Sequence, residues 1–270
     1  MNPKVYPISR FGAVFDAHVH GCYDFHDGIL TPRLLAKLSV KRKFNFLNAM
    51  QHDTVAYMEL FKEAGKEFGL PVIPAVEVST NYNHLLAFGV QEWDYAKDSW
   101  DPEITIERLR EQDCAIYCSH PAVYQFKGKW ENLVYSLDID GIEFTNGSLN
   151  FLNQKIHSMF KNYNKGLIAG TDAHDPTNFG YTWTQVDVQS EDPGDLVAAL
   201  KKGKCKPCGM YVPLFLIIYW ALRSTYIHKI KKIHPLEKKI IPTQDSIRGL
   251  RSIEEYDGKE WKLDFIRQQK

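Results

Sequence analysis

Short apolar, β-branched runs alternate along the first three quarters of the chain with amphipathic stretches of helical periodicity. This alternation predicts βαβ units and a mostly parallel sheet. About seven such repeats favour a closed β/α barrel over an open sheet. The predicted strands cover 13–15, 44–49, 72–76, 85–90, 114–118, 141–144 and 167–169, and the predicted helices cover 32–41, 55–68, 102–111, 149–162 and 193–202.

The composition changes near residue 204, which predicts a barrel at 1–203 and a basic, helical extension packed on it at 204–270. Of the chain's 33 Lys and Arg and 33 Asp and Glu, residues 204–270 hold 14 and 7. The apolar run Met210–Leu222 is shorter than the about 20 residues that cross a bilayer. Its length favours a buried helix, and the alternative is a membrane-surface helix over 210–233.

The overall charge balance and the cysteine content narrow the functional classes. Equal numbers of acidic and basic residues, with no basic–aromatic pattern, give no signature of nucleic-acid binding. Five scattered cysteines and no visible signal peptide favour a reducing, cytoplasmic location. Cys205 and Cys208 have the spacing of half a zinc site or a redox pair, but no second pair accompanies them, so a structural role is favoured.

Histidines and acids follow the apolar runs at the predicted strand ends. In a β/α barrel the carboxyl ends of the strands share one face, so these side chains should converge. One such histidine would be an ordinary hydrogen-bonding loop residue, but six strand ends with the same chemistry indicate a site. The residues are His18, His20, His52, Asp53, Glu77, His84, His120, Glu143, Asp172 and His174.

The spacing within this set points to metal ions. His18 and His20 are two apart on an extended segment, so their side chains point the same way, as do those of Asp172 and His174. Imidazole with carboxylate suits Zn, Mn or Fe. The set exceeds the needs of one ion, which implies two or three divalent transition-metal ions. Such a cluster polarises a phosphoryl oxygen, supplies a hydroxide near neutral pH and stabilises the leaving oxygen.

Seven segments in order resemble the motifs of the PHP (polymerase and histidinol phosphatase) domain. They are FDAHVHGCYDFHDG, MQHDT, AVEVST, HLLAFGV, CSHP, GIEFTNG and GTDAH, and the resemblance covers roughly residues 12–188. It implies a distorted, TIM-like barrel of seven strands that holds a cluster of commonly three ions. Many members of the family hydrolyse phosphomonoesters or phosphodiesters.

The resemblance also implies individual roles. His18 and His20 should bind one ion, and Glu77 should bridge two. A further loop ligand is either His26, by its spacing from His20, or Asp27, by the glycine that follows it. Gln51 stands where the family usually has Asp. The remaining implied ligands are His52, His84, His120, Asp172 and His174, and Asp53, Glu143 and Asn146 are expected to contact substrate or to support the ligands.

Together these features predict a phosphoesterase that attacks a small phosphorylated substrate or nucleotide with a metal-bridging hydroxide. His120, His174 and Asp172 are the candidate catalytic side chains, of which a histidine or aspartate would protonate the leaving group. One alternative is a metal-dependent amide or lactone hydrolase on a related barrel. Another is a non-catalytic regulatory PHP module.

Overall fold

The computed structural model describes residues 12–23, 28–93, 101–123, 128 and 130–224. Within these ranges the chain forms a mixed α/β fold. The strands are β1 (Ala13–Phe15), β2 (Leu47–Ala49), β3 (Val72–Ser79), β4 (His84–Phe88), β5 (Ala115–Cys118), β6 (Gly141–Asn146), β7 (Gly166–Gly170), β8 (Thr182–Val186) and β9 (Cys205–Gly209). The helices are α1 (Pro32–Lys41), α2 (Met58–Phe68), α3 (Pro102–Glu111), α4 (Asn150–Met159), α5 (Pro193–Lys201) and α6 (Leu214–Ser224), with a 3₁₀ turn at Glu131–Tyr135.

Local sequence signals set several helix ends. Helices α1, α3 and α5 each begin with proline after a residue whose side-chain oxygen accepts a backbone N–H of the first turn; these cap residues are Thr31, Asp101 and Asp192. Such caps satisfy donors that the helix leaves unpaired. Gly69 ends α2 in the left-handed region, at φ 67°, where a residue without Cβ is unstrained.

The main sheet has six strands in the order β2-β3-β4-β5-β6-β7. It is parallel except around β4, which runs antiparallel to both β3 and β5. Only residues 80–83 separate β3 from β4, and a parallel crossover needs a dozen residues or more. The hairpin therefore departs from the mostly parallel sheet predicted from the sequence.

A second sheet, in the order β1-β8-β9, is antiparallel and lies beside both edges of the first. After β1, Val19 forms an isolated parallel bridge with Ala173, which follows β7. On the other side, the Asn45 N–H donates to the Val14 carbonyl at 3.1 Å, just before β2. The two edges of the curled main sheet are thus each connected to the β1 segment by a single contact instead of a full ladder of hydrogen bonds.

The strand prediction needs one correction. Each of the seven predicted runs contains a strand, but the described residues form nine strands in two sheets. The additional ones are β8 and β9, and β9 consists of the sequence CKPCG. A short segment with lysine and proline lacks the apolar alternation that predicts a strand. This one forms a strand because it pairs with β8. Cys205 and Cys208 lie on this strand as free thiols.

Helix α6 forms where the apolar run predicts a helix, but the prediction that it is buried was wrong. Leu214, Phe215 and Leu222 are 65%, 68% and 68% exposed. Residues 225–270 of the predicted extension, and with them most of its basic charge, lie outside the described residues. Among the helices that the structure describes, none has the length and apolar content needed to cross a membrane.

The hydrophobic core leads directly to the polar end of the sheet. Ile73 and Ala75 on β3 belong to an apolar cluster with Phe88 and Tyr117. Because side chains alternate along a strand, Glu77 follows them on the same face. The apolar cluster therefore fills one end of the interior, and Glu77 begins the polar site beyond it.

Candidate metal centre

Two neighbouring segments carry four of the predicted ligands, His18 and His20 on one and Asp172 and His174 on the other. The His20 N–H donates to the Ala173 carbonyl at 2.9 Å, and the Asp172 N–H donates to the His18 carbonyl at 2.7 Å. The Nε2 atoms of His18 and His20 lie 3.3 and 3.2 Å from Asp172 Oδ1, so the three side chains face the same space.

Glu77 lies at the centre of the predicted histidines. Its Oε2 is 3.1, 3.0 and 3.1 Å from the Nε2 atoms of His18, His20 and His52. Its Oε1 is 3.0 Å from His84 Nδ1 and 3.3 Å from His120 Nε2. Five imidazoles from four separate segments thus converge on one carboxylate that is 1% exposed.

The side-chain nitrogen and oxygen atoms of these residues form three overlapping groups, each of which could hold a metal ion. One contains His18, His20, Glu77 and Asp172, the second contains His52, Glu77 and His84, and the third contains His20, His52 and His174. Within each group the ligand atoms lie within 4.8 Å of one another. His120 approaches the shared Glu77 from the side of β5.

The contacts within this cluster fit metal ligation better than a hydrogen-bonded network. Buried Glu77 Oε2 receives no aligned hydrogen bond although three imidazole nitrogens surround it. The Nε2 atoms of His18 and His20 face each other at 3.0 Å. A buried polar atom without a hydrogen bond is costly, and a cation between such nitrogens and oxygens would satisfy them. The imidazole–carboxylate set suits Zn, Mn or Fe.

The charges in the cluster stabilise one another. Burial opposes ionisation of Glu77, but His18, His52 and His84 outweigh it and hold the Glu77 pKa well below its usual range. Burial likewise opposes protonation of His18, yet Asp172, Glu77 and Glu143 raise the pKa of His18 well above its usual value. A divalent ion that binds His18 would have to displace a proton from that imidazole.

Glu143 and Asn146 on β6 hold the ligands in place. Glu143 Oε1 is 2.9 Å from His18 Nδ1, and Glu143 Oε2 accepts the His120 N–H at 2.8 Å. The Asn146 amide donates to Glu143 and, at 3.2 Å, to Asp172 Oδ2. A carboxylate on the second ring nitrogen fixes the orientation of a ligating histidine. Glu143 and Asn146 therefore contact three of the predicted ligands, His18, His120 and Asp172.

Asp16 is a supporting residue that the sequence does not reveal. Its buried carboxylate accepts hydrogen bonds from the Thr171 N–H, the Thr171 hydroxyl and the Gly180 N–H. Burial raises its pKa to about 7 despite these donors. Asp16 thereby ties the segment of His18 to the loop of Asp172. Its position two residues before His18 of the His-x-His pair is the one signal that could have pointed to it.

Asp53 and Gln51 lie within the described residues, whereas the predicted loop ligand does not. The Asp53 carboxylate accepts the Ser79 N–H at 2.7 Å, and burial raises its pKa to about 6. Gln51 is buried, and neither of its side-chain amide atoms has a hydrogen-bond partner within the described part of the chain. The alternative loop ligands, His26 and Asp27, lie outside the described residues.

The cluster opens to solvent on the side of Asp172 and His174, whose side chains are 19% and 12% exposed. Helix α6 borders this opening. The Trp220 ring lies 5.9 Å from the His174 ring, centroid to centroid, and Arg223 Nη1 pairs with Asp175 Oδ2. The buried Val212 anchors the start of the helix, because its N–H donates to the Gly147 carbonyl at 3.0 Å.

Comparisons with known proteins agree with this architecture. A family model described as PHP-associated matches residues 151–205. An uncharacterized protein of Methanocaldococcus jannaschii is 28% identical over 140 residues, which are 48% of this chain and 80% of that protein. A 5'-3' exoribonuclease of Haemophilus influenzae is 35% identical over 68 residues, 25% of this chain and 24% of that enzyme.

Among solved structures, a two-domain protein of Bacteroides vulgatus shares the fold. It is described as containing a predicted PHP-like metal-dependent phosphoesterase. The alignment has a TM-score of 0.54 and 16% sequence identity, and it covers 78% of this chain and 68% of that one. The matched PHP-associated segment and this shared fold support the resemblance to the PHP domain family.

Proposed function

We propose that this protein is a metal-dependent phosphoesterase that hydrolyses a phosphomonoester or phosphodiester at a site of two or three metal ions. The observation that carries the proposal is the set of three overlapping ligand groups, two of which share Glu77. Both the exoribonuclease relative and the metal-dependent phosphoesterase neighbour bear names that describe phosphoester chemistry. Their names support the substrate class proposed here.

The ligand groups assign the residues that would hold the ions. Glu77 belongs to two of the groups and so would be shared between ions, while His20 and His52 link both to His174. Mn, Zn or Fe held there would supply the Lewis acidity and positive charge that phosphoester hydrolysis requires. Glu143 and Asn146 would keep His18, His120 and Asp172 oriented through the contacts described above.

The open side of the cluster determines which chain groups reach a substrate. Asp172 and His174 are partly exposed there, whereas the His120 side chain is 5% exposed. A general acid must come within hydrogen-bond distance of the leaving oxygen. Of the three candidate catalytic residues, His174 is the histidine nearer to the opening, and it could protonate a leaving group while it does not ligate an ion. Its Nδ1 lies 3.1 Å from the Asp172 carbonyl oxygen, which would orient the ring.

Arg223 supplies a guanidinium at the same opening. It pairs with Asp175, the residue after His174, and a guanidinium matches the geometry of phosphate oxygens. This feature favours a phosphoester over an amide or a lactone, because neither of those carries an anionic group that Arg223 would bind.

Replacing Arg223 with Ala should lower kcat/KM for a phosphoester by about 10- to 100-fold, the value of a charged hydrogen bond. Arg223→Lys should lose less, because it keeps the charge but not the planar fork. Steady-state kinetics with thermal melting of each variant provides the measurement. Arg108→Ala, on the exposed face of α3, is the matched control. Unchanged kcat/KM in a folded Arg223→Ala variant would exclude Arg223 from substrate binding.

A substrate screen tests the proposed function. The full chain should hydrolyse p-nitrophenyl phosphate or bis(p-nitrophenyl) phosphate, lose the activity to a chelator and regain it with Mn, Zn or Fe. A cyclic amide and a lactone serve as competing substrates for the alternative hydrolase. Hydrolysis of only those two would contradict the phosphoesterase proposal. Absence of both metal and hydrolysis would instead favour a regulatory module.

A further inference from the structure

The outward face of α6 and the turn before it form the largest cluster of exposed apolar side chains in the described residues. The described part of the chain has eleven exposed large hydrophobic residues, and seven of them fall within residues 210–222. Scattered exposed hydrophobics are normal, but a contiguous patch of this kind marks an interaction surface. The apolar patch consists of Met210, Tyr211, Leu214, Phe215, Ile218, Tyr219 and Leu222, which are 40–72% exposed.

The orientation of the helix is fixed by its other face. Leu214, Ile218 and Leu222 repeat every four residues and so share one side of α6. Trp220 and Arg223 lie on the opposite side and contact His174 and Asp175. Turning the apolar patch inward would break both contacts and the anchor at Val212. The helix therefore presents its patch outward while its inner side borders the candidate metal centre.

The sequence that follows the patch gives the chemistry of its partner. Residues 224–239, which follow Arg223, contain five Lys but one acidic residue, Glu237. Aliphatic and aromatic side chains next to clustered basic residues are the pattern that binds anionic lipid surfaces. A second copy of the chain is a poorer fit, because self-association through the patch would bring two basic segments together.

We propose that the apolar patch and the basic residues after it bind the surface of a bilayer that contains anionic phospholipid. The apolar side chains would enter the boundary between headgroups and acyl chains, and the basic residues would attract the phosphate groups. Binding in this orientation would hold the opening of the candidate metal centre close to the lipid surface. The proposal does not depend on the phosphoesterase assignment.

Co-sedimentation of the full chain with vesicles tests the proposal. Vesicles of phosphatidylcholine with phosphatidylglycerol should bind the protein about tenfold more than vesicles of phosphatidylcholine alone, and high salt should weaken the binding. A variant with Phe215→Glu and Ile218→Glu should lose about tenfold of this binding, because charge at the lipid boundary is unfavourable. Phe151→Glu is the matched control, since Phe151 is 78% exposed on α4, outside the patch.

The outcomes separate lipid binding from aggregation and from self-association. Sedimentation that is independent of vesicles or of phosphatidylglycerol, or that is unchanged in the Phe215→Glu, Ile218→Glu variant, would overturn the proposal. A dimer that dissociates in that variant, with no lipid binding by the wild type, would identify a second copy as the partner and would also overturn it. Circular dichroism verifies that the variant is folded. Hydrolysis of a soluble phosphoester should continue in it, which keeps this test separate from that of the proposed function.

Discussion

Replacing Glu77 with Gln should lower kcat for phosphoester hydrolysis by about 10³-fold, because several kcal/mol of charge stabilisation would be lost with the ions. Glu77 is shared by two ligand groups and touches five histidines. The amide has nearly the same shape but no charge, so it cannot compensate the positive charges that surround it. Steady-state kinetics on the purified variant, with metal added in excess, measures the effect.

The matched control for this change is Glu59→Gln. Glu59 lies on α2 with 80% of its side chain exposed and pairs with Lys62 at the surface. It carries the same chemical change away from the cluster and should retain wild-type kcat. If Glu77→Gln retained wild-type kcat with the same dependence on metal, Glu77 could not be the shared ligand.

Removing the side chain of Trp130 should cost about 3–5 kcal/mol of the free energy of unfolding, since Trp130→Ala leaves a large cavity. Trp130 is fully buried, contacts the Tyr82 ring and donates its indole N–H to the His84 carbonyl at 2.8 Å. The loss is a large fraction of the about 5–15 kcal/mol that stabilises a typical domain. Urea unfolding followed by circular dichroism measures it.

Two comparisons separate packing from hydrogen bonding at this position. Trp130→Phe keeps most of the apolar volume but loses the donor to His84, so it should cost about 1–3 kcal/mol. Phe151→Ala, at an exposed position on α4, should stay within about 0.5 kcal/mol of wild type. If Trp130→Ala were as stable as Phe151→Ala, the indole would not be a core residue.

Features that depend on a few neighbouring residues could be predicted from the sequence. A cap residue followed by proline identifies the starts of α1, α3 and α5, because each side chain bonds within its own first turn. The alternation within His18-Val19-His20 predicts that two imidazoles share a face for the same local reason. The convergence of strand-end ligands followed from the general geometry of β/α barrels, which this fold approximates.

Features that depend on distant partners could not be predicted in the same way. The chemistry of Asp16 is set by Thr171 and Gly180, more than 150 residues along the chain. Strand β9 exists because it pairs with β8, and its own composition gives no sign of it. The apolar run of α6 predicts burial. In the structure only the side of the helix that carries Trp220 and Arg223 contacts the rest of the protein, and the apolar side is exposed.

The metal content of the purified full chain tests the central claim most directly. Elemental analysis of wild type and Glu77→Gln, after equilibration with Mn, Zn or Fe and removal of free metal, should find two or three ions per wild-type chain. We expect at least one fewer in Glu77→Gln, because Glu77 belongs to two of the three ligand groups. Wild-type protein that retains no divalent metal, or equal metal content in the two proteins, would contradict the account.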